Sequence, residues 1–392
     1  MFSILMDIFG LRNVDTYNYN ISIEATLTYC ICITFGLIPI ALYTRKKMEL
    51  CPIQQNNINL LKNVSWFASI FTIFYFVMSL PDLLRVLTGN MGEMRTYLYR
   101  GFRVLLWYEK LSPSIRYPIT LSKFLIGEPW IMIFLGFYLR LIQKLPSKYF
   151  NMLFLASLIG PIDGIMGIDR SKVTYWLISL IGCFIFFRPY MGTLEKKKYL
   201  KYGFYIISLF TVYLSIMTLS RFGDNNTGNG LGGSTGSLIY YFGQSFINFC
   251  YFFDTYEPSI FNPSVIAPFT TEYLLGTGYG VGTHFQEYLK GVSGIEFGVF
   301  YTYLGTIYIA LGRVFVFLYS IIVCLVAMII LRNNGRTYLS LHKSYAYMMF
   351  ATIPMLGLFI HHYMYPEATF AVVSFYIITS MVSYSNKKKQ IL

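Results

Sequence analysis

Nine stretches of the chain are predominantly apolar over 15 to 23 residues and are parted by charged, glycine-rich or proline-bearing segments. They run Ile21–Tyr43, Val64–Leu80, Ile119–Leu141, Phe150–Ile168, Val173–Phe187, Tyr202–Leu219, Val314–Leu331, Tyr345–Ile360 and Ala368–Tyr384. Runs of this length are what a helix needs to cross a hydrocarbon layer. The pattern therefore predicts an all-α, polytopic integral membrane helix bundle of about nine to eleven spans, forming one membrane domain over residues 1–392. Two longer connections interrupt it. Residues 81–118 form an outer loop, and residues 220–313 form a large outer loop with short interfacial helices.

Composition agrees with that class. The 392 residues are 55% hydrophobic and 12% charged, with a mean hydropathy of +0.53. A water-soluble domain of this make-up could not cover its surface with polar groups. The segment Met1–Gly10 is too short for a signal peptide and carries Asp7, so the first span is expected to stay in the membrane. Of the six cysteines, Cys30, Cys32, Cys183 and Cys324 fall inside predicted spans, Cys51 lies on the inner side, and Cys250 stands alone on the outer side. A disulfide framework is excluded, and no spacing suits a metal.

Charge fixes the expected orientation. Eighteen basic residues, including Arg45-Lys46-Lys47, Lys196-Lys197-Lys198 and Lys387-Lys388-Lys389, collect on one side with two acids, Glu49 and Glu195. The other side holds 13 basic and 16 acidic residues. The first side is predicted to be cytoplasmic, with the C-terminus there and the N-terminus outside. The type of cation also differs: five of the 18 inner basic residues are arginine, against nine of the 13 outer ones. Guanidinium forks phosphate in a bidentate way and stays charged when partly desolvated. An arginine-rich outer face therefore suits a phosphate-bearing ligand, although pairing with outer acids and lipid headgroups would also account for single arginines.

Within the first outer loop, Met91 to Lys110 reads as an amphipathic helix lying on the membrane. Met91, Met94, Leu98, Phe102 and Leu105 share one face, with Arg100 and Arg103 opposite. In the second loop, a glycine-rich linker after Asp224 leads into an apolar helix, Ser237 to Phe253, whose polar stripe is Gln244 and Asn248. Asp254, His284 and Glu287 follow among tyrosines and prolines, a composition suited to a sugar cavity. Arg170 and Arg221 each stand at the outer end of a span, where a lipid-borne pyrophosphate would sit. Asp163 and Asp169 are the alternative partners for Arg170. Ionisable residues deep within spans are nearly absent, which counts against ion-coupled transport. Walker, HExxH and GxSxG motifs are missing, and no residue set calls for a cofactor or a nucleic-acid partner.

Three motifs carry a resemblance. Gly164-Ile-Met-Gly-Ile-Asp-Arg170-Ser171 opens a span, Met217-Thr-Leu-Ser-Arg221-Phe222 enters the large loop, and Phe300-Tyr-Thr302-Tyr-Leu-Gly305 with Ala310-Leu-Gly312 precedes the next span. In order and placement they resemble the Wzy-type O-antigen, or oligosaccharide repeat-unit, polymerases. Asp169, Ser171 and Ala310 depart from that family's pattern. The resemblance implies a metal-independent glycosyltransferase of the bacterial inner membrane. Its substrate would be a polyprenyl-pyrophosphate-linked oligosaccharide, and its partners a chain-length regulator and a flippase. Arg221 and Arg170 would stabilise the leaving pyrophosphate, with Arg100 and Arg103 helping to bind it. His284 would be the first choice for the base, with Asp224, Asp254 and Glu287 as alternatives and His361 and His362 behind them. An O-antigen ligase or a lipid-linked oligosaccharide flippase remains the alternative reading.

Overall fold

The computed structural model describes residues 21–45, 48–53, 55–89, 106–222, 234–258, 302–332, 338–357 and 361–389. These residues are helical apart from turns and one pair of two-residue strands. The nine predicted apolar stretches fall mainly on helices in their described residues. In order these are α1 (Ile23–Arg45), α2 (Gln55–Thr88), α3 (Pro113–Ile126) with α4 (Pro129–Phe137), and α5 (Ser147–Ala156) with α6 (Ile159–Met166). Then come α7 (Arg170–Phe187), α8 (Thr193–Phe222), α9 (Ser234–Thr255), α10 (Thr302–Leu311), α11 (Arg313–Leu331), α12 (Leu341–Leu356) and α13 (Pro366–Lys389). Among the described residues, six segments are long and apolar enough to cross a membrane, or seven if the bent pair α3–α4 is one span.

That pair departs from the single predicted span Ile119–Leu141. Its two halves meet at 55°. Gly127 closes α3 through its amide on the Lys123 carbonyl at 2.7 Å, and Glu128 is extended at φ −84°, ψ 102°. A proline denies the preceding residue the helical region, so Pro129 forces Glu128 out and then starts α4 at its first position. Glu128 is buried at this break. Asp163 on α6 and Lys123 on α3 are further ionisable residues within the predicted spans.

The chain divides into two compact units. The first comprises Met1–Lys46, Asp224–Arg332 and Tyr347–Thr369. Its core joins Ala25 and Cys32 of α1, Phe249, Cys250 and Phe253 of α9, Leu304, Ile307 and Tyr308 of α10, and Val316 and Val323 of α11. Two glycines allow close packing. A Cβ on Gly36 would stand 2.9 Å from Pro354, and one on Gly357 would stand 2.7 Å from the Tyr303 side chain.

The second unit comprises Lys47–Gly223, Asn333–Ala346 and Phe370–Leu392. At its centre lies α4, every residue of which is buried. An all-round apolar helix without a polar stripe is what a fully enclosed position demands. Phe134 packs between Phe186 and Phe187 of α7 and Tyr345 of α12. Strand Glu49–Leu50 pairs in parallel with Tyr338–Leu339, opposing Glu49 to Tyr338 and Leu50 to Leu339.

Candidate functional site

In the second unit two lysines meet at Asp163. The α6 helix ends there because Gly167 and Asp169 return their amides to the carbonyls of Asp163 and Gly164, at 2.9 and 2.7 Å. Ile168 completes the turn at φ 51°, a left-handed conformation that is costly for a β-branched residue. Gly164 is needed where it stands: a Cβ would come within 2.9 Å of the Asp169 carbonyl and 3.1 Å of Lys172 Cβ. Asp169 then caps α7, accepting from the Ser171 amide at 2.9 Å and from its hydroxyl at 2.5 Å. The tight turn thus brings the first residues of α7 onto the last turn of α6.

Asp163 is buried, at 7% exposure. Its Oδ1 accepts from the Tyr75 hydroxyl of α2 at 2.5 Å. Its Oδ2 receives Lys123 Nζ from α3 and Lys172 Nζ from α7, both at 2.7 Å. The two ammonium groups therefore lie no more than twice that distance apart. Lys123 also stands 4.7 Å above the Tyr108 ring. The Trp107–Lys110 turn that carries this ring is fixed to α2: the Trp107 amide donates to Asp82 at 2.8 Å and its indole to Ser79 at 2.9 Å. Asp82 in turn pairs with Arg85 at 3.1 Å.

Arg170 is the first residue of α7 and is 7% exposed. Of the acids considered for it, Asp163 carries the ion pairs with Lys123 and Lys172, and Asp169 the bonds to Ser171. Arg221 is the penultimate residue of α8, and its side chain lies outside the described residues. A turn at Arg188–Tyr190 joins α7 to α8, and Trp176 packs on Phe210 at 5.1 Å. Both arginines belong to the same end of this hairpin, Arg170 buried at the start of α7 and Arg221 at the close of α8.

The remaining described candidates belong to the first unit. Gln244 and Asn248 are buried one turn apart on α9, in the first unit. Asp254 is exposed near the end of α9 and accepts from the Ser22 hydroxyl at 2.7 Å and amide at 3.3 Å. Ser22 itself caps α1 through the Ala25 amide at 3.0 Å. The structure thus gives Asp254 a helix-capping partner. Arg100, Arg103, Asp224, His284 and Glu287, with most of the expected amphipathic helix Met91–Lys110, lie outside the described residues.

His361 and His362 are buried in the first unit. His361 Nε2 meets the Tyr319 hydroxyl at 2.7 Å and its amide donates to Thr306 at 3.2 Å. Burial, aided by the neighbouring His362, lowers the His361 pKa to about 3. That is far below the value a base working near neutrality needs, so His361 loses its place as a reserve base.

Lys123 and Lys172 were not among the residues the sequence singled out. A signal existed: they are two of only four lysines on the arginine-rich side, the others being Lys110 and Lys290. No protein-family model matches the chain, and no curated protein or solved structure matches it.

Proposed function

We propose that the protein polymerises polyprenyl-pyrophosphate-linked oligosaccharide repeat units into a surface polysaccharide at the outward face of a bacterial inner membrane. The observation that supports this reading is the buried Arg170 at the start of α7, on the same hairpin end as Arg221. A guanidinium kept at an apolar helix end is charged at any physiological pH and is suited to an oxygen-rich anion.

In the proposed reaction, the terminal sugar hydroxyl of the incoming repeat unit attacks the anomeric carbon of the growing glycan. A general base takes the hydroxyl proton, and the new glycosidic C–O bond forms as the anomeric C–O bond to pyrophosphate breaks. The pyrophosphate leaves with the electron pair, and Arg221 and Arg170 hold the charge that develops on it. Arg100 and Arg103 would add to its binding. His284 is the preferred base, with Glu287 or Asp224 in its place if His284 is dispensable. The lysine-rich side, including the C-terminus, is cytoplasmic in this reading, and the bundle has nine to eleven spans once α12 and α13 are counted.

Arg170→Ala and Arg221→Ala should each lower chain extension by about 100-fold or more, the scale for losing a charge-stabilising donor, at unchanged protein level in the membrane. Deleting the gene should leave single-repeat glycan on the surface and remove the long-chain ladder. Full-length polymer stranded on its lipid carrier would point to a ligase instead. Repeat units trapped on the cytoplasmic side would point to a flippase, and an intact ladder in either arginine variant would refute the roles assigned here.

A further inference from the structure

One ammonium group is enough to neutralise one carboxylate, yet Asp163 holds two on the same oxygen. Tyr75 occupies the other oxygen, so the second lysine is not there to complete an otherwise bare acceptor. Crowding like charges into a half-buried site weakens what the ion pair gives to folding. It does hold two ammonium groups close together. The surrounding structure holds that arrangement in place: Lys123 is pinned over Tyr108, and Lys172 is delivered by a turn strained at Ile168 and packed on Gly164. The site is also reachable, since the Lys172 side chain is 39% exposed and that of Lys123 is 19% exposed.

We propose that Lys123 and Lys172, bridged by Asp163, bind the phosphate of a lipid headgroup. Ammonium groups act as compact point charges, and two of them can meet separate oxygens of one tetrahedral phosphate. Asp163 and Lys172 flank the turn between α6 and α7, and Lys123 lies on the last turn of α3; such binding sets that turn at the level of headgroup phosphates. Asp163 keeps the two ammonium groups at a fixed separation before the ligand arrives, so little ordering is left for binding to accomplish. Such a site does not depend on polymerisation, and its ligand could be the pyrophosphate of a lipid-linked glycan or the phosphodiester of a bilayer lipid.

The test uses purified full-length protein in detergent with two probes, undecaprenyl pyrophosphate and phosphatidylglycerol, and undecaprenol as the uncharged control. Retention of each lipid is read by native mass spectrometry. Wild type should retain at least one phosphate lipid, and the Lys123→Gln/Lys172→Gln variant should retain it at least tenfold less, while Lys123→Arg/Lys172→Arg keeps most of it. Loss confined to the pyrophosphate assigns the site to the lipid-linked glycan; loss of both, or of phosphatidylglycerol alone, assigns it to the bilayer headgroup. Equal retention by wild type and the glutamine variant overturns the proposal, as does retention of undecaprenol equal to that of the phosphate lipids. If the glutamine variant does not reach the membrane, amine acetylation of wild type decides: Lys172 slowed at least threefold by the phosphate lipid supports the site, and an unchanged rate overturns it. Because binding alone is read, Arg170→Ala can abolish chain extension while leaving this result intact, and the converse holds equally.

Discussion

Replacing Asp163 with asparagine keeps the shape of the side chain and an oxygen for the Tyr75 hydroxyl, but removes the charge that holds two lysines together. With both ammonium groups 2.7 Å from one oxygen, their own separation is at most twice that distance. Two unit charges that far apart repel by about 3 kcal/mol at an effective dielectric constant near 20. Water at the half-exposed Lys172 reduces this, while loss of a buried partner raises the cost towards the 3–5 kcal/mol seen when such pairs are broken. We expect Asp163→Asn to lower stability by about 3 kcal/mol, which corresponds to roughly 6–12 °C in Tm for a domain of this size. The assay is thermal unfolding of the detergent-solubilised protein, read by loss of the monodisperse peak in size-exclusion chromatography. The cycle is completed by Lys172→Gln, expected to cost about 1 kcal/mol alone, and by Asp163→Asn/Lys172→Gln, in which the orphaned repulsion is relieved. The double variant should be more stable than Asp163→Asn. If the two single effects add to within about 0.5 kcal/mol, the residues are energetically independent and the central role given to Asp163 is wrong.

Three further outcomes follow from groups elsewhere in the chain. Because burial lowers the His361 pKa to about 3, the unfolded chain binds a proton there that the folded protein does not as pH falls below about 6.5. His361 therefore supports the fold fully above pH 6.5 and progressively less down to about pH 3, at up to about 1.4 kcal/mol per pH unit; Tm measured from pH 7 to 5 should fall less steeply in His361→Gln, and parallel slopes would contradict this. Gly357→Ala places a methyl group 2.7 Å from Tyr303 and should cost about 1–3 kcal/mol by overpacking. Gly203→Ala, on α8 with nothing within 4 Å of the new carbon, should gain up to about 1 kcal/mol; equal Tm shifts in the two would sink the packing account.

Much of the helical layout was legible because bilayer thickness sets a length, and apolar runs of that length leave few alternatives. The helix Ser237–Phe253 was readable for a related reason, as an apolar run with one polar stripe, and it occurs as Ser234–Thr255. Where the reading missed, the responsible residues were local. Gly127-Glu128-Pro129 carries its own helix-breaking chemistry, yet a hydropathy average across Ile119–Leu141 hides it among fifteen apolar residues. Asp163 and Lys123 were hidden in the same way, because a charged residue near the end of an apolar run looks like a boundary rather than a buried partner.

The site was less legible than the fold, for a reason that lies in how helices meet. Arg170 was identifiable because its position at a span end is a property of one segment. The Lys123–Asp163–Lys172 cluster is a property of three helices and a strained turn, with Tyr75 added from a fourth. Residues 123 and 163 are 40 positions apart, and no spacing rule connects them. What made the contact possible was Gly164, whose missing Cβ lets Asp169 and Lys172 approach α6. Sequence reasoning offered Asp163, seven residues away, and Asp169 as alternatives to a phosphate for Arg170, by proximity along the chain. The structure assigns it to Lys172, two residues further on, and to Lys123 from α3. A carboxylate on the last turn of a helix selects among nearby cations by the direction the next helix takes, and that direction is set at Gly164, Ile168 and Asp169 rather than by the charges themselves.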